Sequence, residues 1–385
     1  MAGEARLGVI GVGIMGGFHA DCLREGKVKG ARLAAVCDLR PERLARFEGV
    51  KKYEDSGKML RSGDVDAVII ATPHYFHTTI GIDAFESGIH VLTEKPISVH
   101  KADCERLIAA HKKTKLVFSA MHQMRSSPFH QKVKQMVSSG ELGEIRRMNW
   151  LLTDWFRSDA YYASSEWRAT WAGEGGGVLL NQCPHNLDIL AWIFGMPKRV
   201  TGFCEFGRFH DIEVEDSVTA YLEFPNGSTG LFVTTTGEAP GTSRLEIAGD
   251  RGKLVAENYQ DEISFFRNEI PTSEFCRTTK EMFDPPPTWS IKIPAHHGGG
   301  HREITQNFVD SILHGTPLLI NGGEGINAVE LANAIIYSSL TGKPVDMPLD
   351  GAAYEAKLKE LIAKSTKTKK VKEISVTDVK GSFHK

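Results

Sequence analysis

The sequence predicts two domains, an α/β domain with a doubly wound parallel sheet over residues 1–122 and an α+β domain with a large, mainly antiparallel sheet over residues 123–385. Three observations support this division. A chain of 385 residues exceeds the length that a single hydrophobic core usually serves. Short apolar runs alternate with helix-length segments in the first third, whereas closely spaced strand and turn signals dominate the middle of the chain.

Five short apolar runs in the first domain are predicted to be buried strands. Each run is too short for a core helix, and helix-length stretches of mixed polar and apolar residues separate them. This alternation is typical of βαβ units, in which helices cover both faces of a parallel sheet. The runs are residues 7–10, 33–37, 67–71, 91–93 and 116–120.

In the second domain, predicted strands follow one another with only short turns between them. Pro225-Asn226-Gly227-Ser228 has the Asn-Gly centre of a tight hairpin, and Gly249-Asp250-Arg251-Gly252 is a second turn of similar character. Consecutive hairpins build an antiparallel sheet. The predicted strands are residues 200–206, 217–224, 228–236, 244–248 and 253–258.

The end of the chain is predicted to contain two helices and a tail. The helices, residues 303–313 and 325–341, are expected to pack on the antiparallel sheet or to return to the first domain. The lysine-rich segment of residues 364–385 is expected to be a solvated or partly ordered tail and not a nucleic-acid-binding arm.

Composition indicates an ordinary globular protein. Hydrophobic residues make up 41% of the chain and charged residues 24%, and the formal net charge of −2 gives no general attraction to nucleic acid or an anionic membrane. The six cysteines are scattered without a C-x-x-C pair, which favours reduced thiols over a disulfide framework or a zinc cluster. Because no segment has transmembrane length or the pattern of a secretion signal, a cytoplasmic location is expected.

A glycine-rich turn connects the first predicted strand to the first predicted helix. Gly11-Val12-Gly13-Ile14-Met15-Gly16 has the spacing G-x-G-x-x-G. Glycines at these positions permit a tight turn and let the backbone approach a pyrophosphate, whose charge the helix N-terminus stabilises. In this context the motif predicts a Rossmann domain that binds a dinucleotide through Gly11, Gly13, Ile14, Met15 and Gly16.

Asp38 closes the second predicted strand, where a carboxylate would meet the hydroxyl groups of an adenosine ribose. A carboxylate at this position repels a 2′-phosphate, so the sequence favours NAD over NADP. Arg40 weakens this preference, because an arginine there can accept the phosphate instead.

Thr93-Glu94-Lys95-Pro96 follows the fourth predicted strand. In an open α/β sheet ligands bind at the carboxyl ends of the strands, which places Lys95 near the reactive end of the cofactor. Pro96 cannot continue a strand ladder and restricts the backbone of Lys95, which favours a fixed turn. The alternative interpretation is a surface lysine at the end of a strand.

Five motifs occur along the chain, and their combination is highly specific. They are GVGIMGGFHA at residues 11–20, Ala71-Thr72-Pro73-His74 through His77, Glu94-Lys95-Pro96, Trp167-Arg168, and Gly175-Gly176-Gly177 leading to His185 and Asp188. Together they make the chain resemble, over nearly its whole length, the Gfo/Idh/MocA oxidoreductases. That family is named for glucose–fructose oxidoreductase and inositol dehydrogenase.

The resemblance implies a set of roles. Lys95 and His185 would flank the reacting carbon of the substrate. The cofactor would be lined by Thr72, Pro73, His74, His77 and Glu94, with Trp167 and Arg168 near its nicotinamide half. The resemblance also implies a dimer or tetramer joined through the antiparallel sheets.

One position departs from the family pattern. Four residues before the histidine the family usually has aspartate, whereas this chain has Asn181, which can hydrogen-bond a hydroxyl group but supplies no negative charge. Asp188, one turn beyond His185, could orient the imidazole instead, or it could cap or bridge within the structure.

The segment of residues 179–190 carries Asn181, His185 and Asp188 on one face if it forms a single helix. One interpretation is a satisfied buried histidine, with Asn181 as N-cap and Pro184 in the first turn. The resemblance favours a catalytic cleft. In that hypothesis His185 is the general base, Lys95 stabilises the developing alkoxide and Asn181 anchors a substrate hydroxyl group, while a lysine with a depressed pKa could itself be the base.

Aromatic and guanidinium groups are concentrated between residues 154 and 171. Flat apolar rings stack on sugars while Arg, Asn and Asp bind hydroxyl groups, so Trp155, Arg157 and Tyr161 are predicted to contact a neutral polyol or glycoside. The alternative is an interdomain or oligomer contact. His296-His297-Gly298-Gly299-Gly300-His301 lacks a recognisable ligand pattern, so no metal site is predicted and His301 is assigned to the substrate cleft.

Three function classes follow. The first is an NAD-dependent dehydrogenase that oxidises a secondary hydroxyl group of a sugar, glycoside or inositol. The second is a glycosidase that retains NAD and acts by transient oxidation and elimination, and the third is a nicotinamide-binding regulator without turnover. Because bulky apolar residues lie on both sides of the predicted antiparallel sheet, a homo-oligomer is expected with Tyr221 or Phe232 at its interface.

Overall fold

The computed structural model describes residues 3–257, 261–296 and 298–367. Its first half contains a six-stranded sheet in which every neighbouring pair of strands runs parallel. The strands are β1 (Ala5–Ile10), β2 (Ala31–Cys37), β3 (Lys51–Tyr53), β4 (Ala67–Ile70), β5 (His90–Thr93) and β6 (Phe118–Ala120). Their order is β3-β2-β1-β4-β5-β6, so the connection reverses direction between β1 and β4. A ligand cleft is expected outside the carboxyl ends of the strands at such a reversal.

The second half contains a nine-stranded sheet. Its strands are β7 (Ile145–Leu152), β8 (Arg199–Phe206), β9 (Glu215–Glu223), β10 (Thr229–Thr235), β11 (Ser243–Gly249), β12 (Gly252–Glu257), β13 (Glu262–Asn268), β14 (Thr288–Pro294) and β15 (Val345–Asp346). The order is β14-β13-β12-β11-β7-β10-β9-β8-β15, and within the described part of this sheet only the pairing of β7 with β10 is parallel. The predicted fold class, a doubly wound parallel sheet followed by a mainly antiparallel one, is confirmed.

Helices cover both faces of the first sheet and one face of the second. They are α1 (Ile14–Arg24), α2 (Pro41–Leu44), α3 (Ser56–Leu60), α4 (Tyr75–Glu86), α5 (Lys101–His111), α6 (Pro128–Ser138), α7 (Asp159–Ala163), α8 (Val178–Asn181), α9 (Pro184–Phe194), α10 (Thr272–Thr278), α11 (His301–His314), α12 (Ile326–Thr341) and α13 (Gly351–Lys364). Short 3-10 helices span Gln123–Ser126 and Gly322–Gly325.

The sequence left open whether the two late helices pack on the second sheet or on the first domain, and the structure shows one helix in each position. Ile304, Phe308 and Val309 of α11 are buried in the same apolar cluster as β1, so α11 returns to the first domain. Helix α12 packs on the second sheet, and a Cβ atom on Gly202 of β8 would lie 2.2 Å from the carbonyl oxygen of Ile335. This approach is possible because position 202 has no side chain.

The two faces of the nine-stranded sheet differ. Phe232 is fully buried on the face that the helices cover, where its ring lies 6.2 Å from that of Trp150. The prediction that Phe232 could lie at a subunit interface is therefore wrong. Tyr221 is 42% exposed on the other face, which we call the open face, and lies opposite Leu231 in the strand register.

Both predicted turns are present, since the N–H group of Phe224 donates to the carbonyl of Ser228 at 2.9 Å and Gly249 pairs with Gly252. Most of the lysine-rich tail, residues 368–385, lies outside the described residues. Within the described ranges, no helix combines the length and the apolar character that crossing a bilayer requires.

Candidate active site

The glycine-rich turn lies between β1 and α1, and Ile14 and Met15 begin the helix. A Cβ atom on Gly16 would lie 1.7 Å from the carbonyl oxygen of Gly11, and Gly11 itself has a φ of +85°. These two positions therefore require glycine. A Cβ atom on Gly13 would meet nothing closer than Nη1 of Arg43 at 3.8 Å, so Gly13 faces open space beside the helix N-terminus. The turn forms a cradle of backbone that suits a pyrophosphate.

Asp38 lies at the carboxyl end of β2 and is only 8% exposed. Its Oδ2 accepts a hydrogen bond from the N–H group of Val12 at 2.9 Å, and its Oδ1 accepts one from the N–H group of Arg40 at 3.0 Å. The Arg43 guanidinium lies 3.4 Å from the same carboxylate. Asp38 is thus fixed against the glycine-rich turn, while the Arg40 side chain is exposed at the rim.

The residues after β4 line the next part of the cleft. Nδ1 of His77 lies 2.7 Å from the carbonyl oxygen of Pro96 and Nε2 lies 2.8 Å from that of Thr72, so His77 connects the segments that follow β4 and β5. His74 follows Pro73, directly before α4, and its ring lies 5.4 Å from that of Trp167. Burial lowers the pKa of both imidazoles.

The donor set fits a bound dinucleotide. The hydroxyl oxygen of Thr72 is buried and has no hydrogen-bond partner among the described residues. An unsatisfied buried hydroxyl group at the mouth of such a cleft is suited to a ligand. The cradle at Gly13, the carboxylate of Asp38 and this hydroxyl group are together the kinds of donor and acceptor that a dinucleotide requires.

Glu94 forms a buried cluster with two histidines. His19 of α1 places Nε2 2.8 Å from Oε1 of Glu94, and the ring of His301 lies 5.7 Å from the ring of His19. Burial acts to raise the pKa of Glu94, but the hydrogen bond and charge of His19 outweigh it and lower that pKa to about 2. Burial lowers the pKa of His301 to about 4. The structure therefore places His301 beside the pair formed by Glu94 and His19.

Lys95 reaches across to the second domain. Its Nζ donates to the carbonyl oxygen of Asn181 at 2.6 Å, and burial lowers its pKa. The Asn181 amide nitrogen donates to Oε1 of Glu174, whose Oε2 accepts the N–H group of Ala169 at 2.6 Å. Burial raises the pKa of Glu174. A carboxylate is therefore present beside Asn181 although position 181 itself carries no charge.

The segment around Asn181 is not the single helix that was considered. Asn181 ends the short helix α8, and Gln182 and Cys183 separate it from α9. The prediction that Asn181 is the N-cap is wrong, because Cys183 holds that position, whereas Pro184 does occupy the first turn. The break leaves the Asn181 carbonyl available to Lys95, since no continuing helix uses it.

His185 lies in the first turn of α9, next to the segment that follows β6. Its Nε2 lies 3.2 Å from the amide nitrogen of Gln123. An amide nitrogen can only donate, so in this contact Nε2 is the unprotonated ring nitrogen and accepts the hydrogen bond. The ring of His122 lies 5.9 Å away, is fully buried, and has no hydrogen-bond partner for either nitrogen within the described ranges.

Asp188 does not serve to orient His185. The guanidinium of Arg125 binds its carboxylate with both Nε and Nη2, at 2.8 and 2.7 Å. The pair is buried and joins the segment after β6 to α9. Of the roles considered for Asp188, bridging within the structure is the one observed, and this bridge fixes the helix that carries His185.

The aromatic segment lies next to Asn181. The hydroxyl group of Tyr161 accepts from Nη1 of Arg168 at 2.6 Å and donates to Oδ1 of Asn181 at 3.4 Å. The Arg168 guanidinium stacks 4.5 Å from the Tyr161 ring and 4.8 Å from that of Trp167, and the Arg157 guanidinium stacks 5.4 Å from Trp155 and 5.1 Å from Tyr161. The predicted substrate residues Trp155, Arg157 and Tyr161 are therefore brought together beside Asn181.

Several residues of this cleft were not assigned a role from the sequence. They are His19, His122, Gln123, Arg125 and Glu174. Glu174 carried a recognisable signal, because an acidic residue directly before a run of glycines is unusual in a buried segment. The described residues contain no group of three or more His, Cys, Asp or Glu side chains arranged to hold a metal ion, and His297 lies outside them.

Two family models match consecutive stretches of this chain. The model described as the oxidoreductase family with an NAD-binding Rossmann fold matches residues 5–122. The model of the GFO/IDH/MocA C-terminal domain matches residues 130–255. Together the two matches span more than half of the chain.

Relatives with known names resemble the chain over most of its length. It is 25% identical over 367 residues to the scyllo-inositol 2-dehydrogenase (NAD(+)) of Bacillus subtilis, covering 91% of this chain and 99% of the relative. It is 24% identical over 341 residues to the myo-inositol 2-dehydrogenase of Thermotoga maritima, covering 86% and 94%. The WlbA dehydrogenase of Chromobacterium violaceum, solved with NADH and UDP-GlcNAcA, has a TM-score of 0.78 at 27% identity and covers 90% of this chain and 97% of that one.

Proposed function

Since this chain belongs to the Gfo/Idh/MocA family and is an NAD-binding oxidoreductase, we propose that it oxidises a secondary hydroxyl group of a sugar, glycoside or inositol. The observation that carries the proposal is the 2.6 Å hydrogen bond from Lys95 to the carbonyl of Asn181, which joins the cofactor domain to the segment before His185. The names of the inositol dehydrogenases among its relatives support the substrate class.

NAD⁺, when bound, supplies the hydride acceptor. The residues of this chain accept and return the proton and stabilise the charge that develops on the substrate oxygen. The substrate hydroxyl group replaces the Gln123 amide as the donor to Nε2 of His185. His185 then takes the hydroxyl proton on Nε2 as the carbon–oxygen double bond forms and the hydride leaves the same carbon. The Lys95 ammonium, held at a fixed position by the Asn181 carbonyl, stabilises the negative charge that develops on the substrate oxygen. In the reverse direction His185 returns the proton.

Asn181 and Glu174 position this centre. The Glu174 carboxylate holds the Asn181 amide group, so that Oδ1 of Asn181 points toward the Tyr161 hydroxyl group. Asn181 can then present its amide to a substrate hydroxyl group while its backbone carbonyl holds Lys95.

One experiment separates the three function classes. The purified protein is tested for bound NAD(H), then screened with inositols, sugars and aryl glycosides for NADH formation and for aglycone release. The proposal expects NADH formation without aglycone release. Aglycone release without net NADH would favour the glycosidase class, and cofactor binding without either product would favour the regulator.

Replacing Asp38 by serine should weaken NAD binding and reduce discrimination against NADP. The carboxylate repels a 2′-phosphate, and its loss leaves Arg40 and Arg43 to attract that group. The measurement is the dissociation constant of each cofactor for both proteins. If the unaltered protein prefers NADP, the assignment of Asp38 to the ribose hydroxyl groups is wrong.

The pH dependence of turnover should distinguish the two candidate bases. Burial lowers the pKa of Lys95, so its charge is lost at lower pH than that of an exposed lysine. If the ammonium stabilises the alkoxide, kcat/KM falls as pH rises through that pKa, and Lys95→Arg removes the fall because arginine stays charged. If Lys95 is the base, kcat/KM rises in that range instead. Circular dichroism over the same range excludes unfolding as the cause.

The open face of the nine-stranded sheet should form a subunit interface. Leu151, Tyr221, Leu231 and Val233 are adjacent in the register and give this face an apolar centre. An apolar patch of this kind is usually covered by a second copy of the chain. Light scattering should give a dimer or tetramer mass, and Tyr221→Glu should shift it toward the monomer, whereas Leu319→Glu, at an exposed site outside the sheet, should not. A monomer mass for the unaltered protein at micromolar concentration contradicts this assignment.

A further inference from the structure

Three cations converge at the substrate side of the site. Lys95 is bound to the Asn181 carbonyl, Arg168 to the Tyr161 hydroxyl group, and Arg157 stacks on the rings of Trp155 and Tyr161. Both guanidinium groups are close enough to act on the charge of Lys95. Two buried carboxyl groups, those of Glu94 and Glu174, lie close enough to act on the charge of Lys95 as well.

Both carboxyl groups already have partners. Glu94 contacts His19. One oxygen of Glu174 accepts from the Asn181 amide and the other from a backbone N–H group. Burial also raises the pKa of Glu174, which disfavours its charged form. Among the described residues, neither carboxyl group forms an ion pair with Arg157.

Of these three cations, Arg157 leaves most of its N–H donors without a hydrogen-bond acceptor among the described residues. It forms no ion pair with any described carboxylate, and the one side-chain hydrogen bond it makes is from Nη1 to the carbonyl of the adjacent Phe156 at 2.9 Å. The residue is half-buried, and its guanidinium lies 5.4 Å from the centre of the Trp155 ring and 5.1 Å from that of Tyr161. A guanidinium in this position presents a fork of N–H groups that matches a carboxylate, with little further entropy to lose on binding.

We infer that the substrate is a sugar acid, and that Arg157, supported by Arg168, binds its carboxylate while Lys95 and His185 engage the reacting hydroxyl group. The inference rests on the proposed function for the placement of the sugar ring. A sugar acid replaces the neutral polyol that was expected from the sequence. The sequence did not indicate it, because Arg157 and Arg168 approach Lys95 only in the folded protein. A carboxylate is favoured over a phosphate because one planar fork satisfies it.

The test compares three ligands that differ only at C6: glucuronate, glucose and glucose 6-phosphate. Their dissociation constants for the NADH complex are measured by calorimetry. Glucuronate should bind about ten- to a hundredfold more tightly than glucose, the range expected for a charge-assisted pair. Arg157→Gln should abolish most of that preference, and Arg157→Lys should keep part of it, since the charge remains without the fork.

Arg277→Gln is the matched control, since it removes the same charge from the exposed helix α10. It should leave the preference for glucuronate unchanged. The inference is overturned if glucuronate does not bind at millimolar concentration, if it binds no better than glucose, or if Arg157→Gln leaves its preference intact. Tighter binding of glucose 6-phosphate than of glucuronate also overturns it, in favour of a sugar phosphate. If glucuronate is preferred but no compound is oxidised, this inference stands and the proposed function fails.

Discussion

Lys95→Ala and His185→Ala should each lower kcat/KM by about a hundred- to ten-thousandfold, the usual consequence of losing one acid–base or charge-stabilising group. Lys95 touches the reacting oxygen in the proposed mechanism, and His185 takes its proton. Neither side chain belongs to the glycine-rich turn or contacts Asp38, so the affinity for NADH should change little. Steady-state kinetics and NADH fluorescence titration provide the two measurements.

Lys134 provides a matched control for Lys95→Ala, because removing it also removes a partly buried positive charge. Lys134 is also partly buried, also donates to a backbone carbonyl, that of Trp192, and also has its pKa lowered by burial. Because it lies outside the cleft, Lys134→Ala should keep kcat/KM within about threefold, as expected for a change far from the reacting groups. Near-normal turnover in His185→Ala would show instead that His185 is a buried histidine without a catalytic role.

Gly16→Ala should cause the largest loss of stability among single substitutions in the cofactor domain. The new Cβ atom would lie 1.7 Å from the carbonyl oxygen of Gly11, a backbone atom that cannot move without opening the turn. A destabilisation above about 3 kcal/mol is expected, since overpacking against fixed backbone exceeds the usual cost of an added methyl group. The measurement is the free energy of unfolding in urea, together with NADH affinity.

Gly13→Ala is the companion change that separates folding from binding. Its Cβ atom would meet only Nη1 of Arg43, at 3.8 Å, so the added methyl group has space. Stability should therefore stay near that of the unaltered protein, while NADH affinity falls because the methyl group occupies the approach of the pyrophosphate. Unchanged NADH affinity in Gly13→Ala would contradict the placement of the phosphates at this turn.

Sequence patterns predicted the first sheet better than the second. Buried parallel strands are continuous apolar runs, whereas β7, β13 and β14 alternate apolar with charged residues or carry mostly exposed side chains, and all three were missed. The strand β3 was missed because it contributes only three residues, two of them exposed lysines. Position within a sheet is decided by pairing partners far away in sequence, and local patterns do not contain that information.

In the candidate site, too, the local sequence does not indicate partners that are distant along the chain. Motif spacing led to Lys95, His185 and Asn181, since each motif is local. The partners that give these residues their chemistry come from elsewhere: Gln123 reaches His185, and Arg125 takes the Asp188 carboxylate that was a candidate to orient the imidazole. Both approach from the segment after β6, and no periodicity near residue 185 indicates them.

The return of α11 to the first domain has a consequence for biogenesis. The apolar cluster around β1 is completed by Phe308, Ile320 and Val329, residues that a ribosome delivers long after the six parallel strands have emerged. Until then the nascent Rossmann sheet exposes the surface that α11 will cover, and exposed apolar surface of this kind favours aggregation. The cofactor domain should therefore reach its native state only late in synthesis, after most of the second sheet has been made.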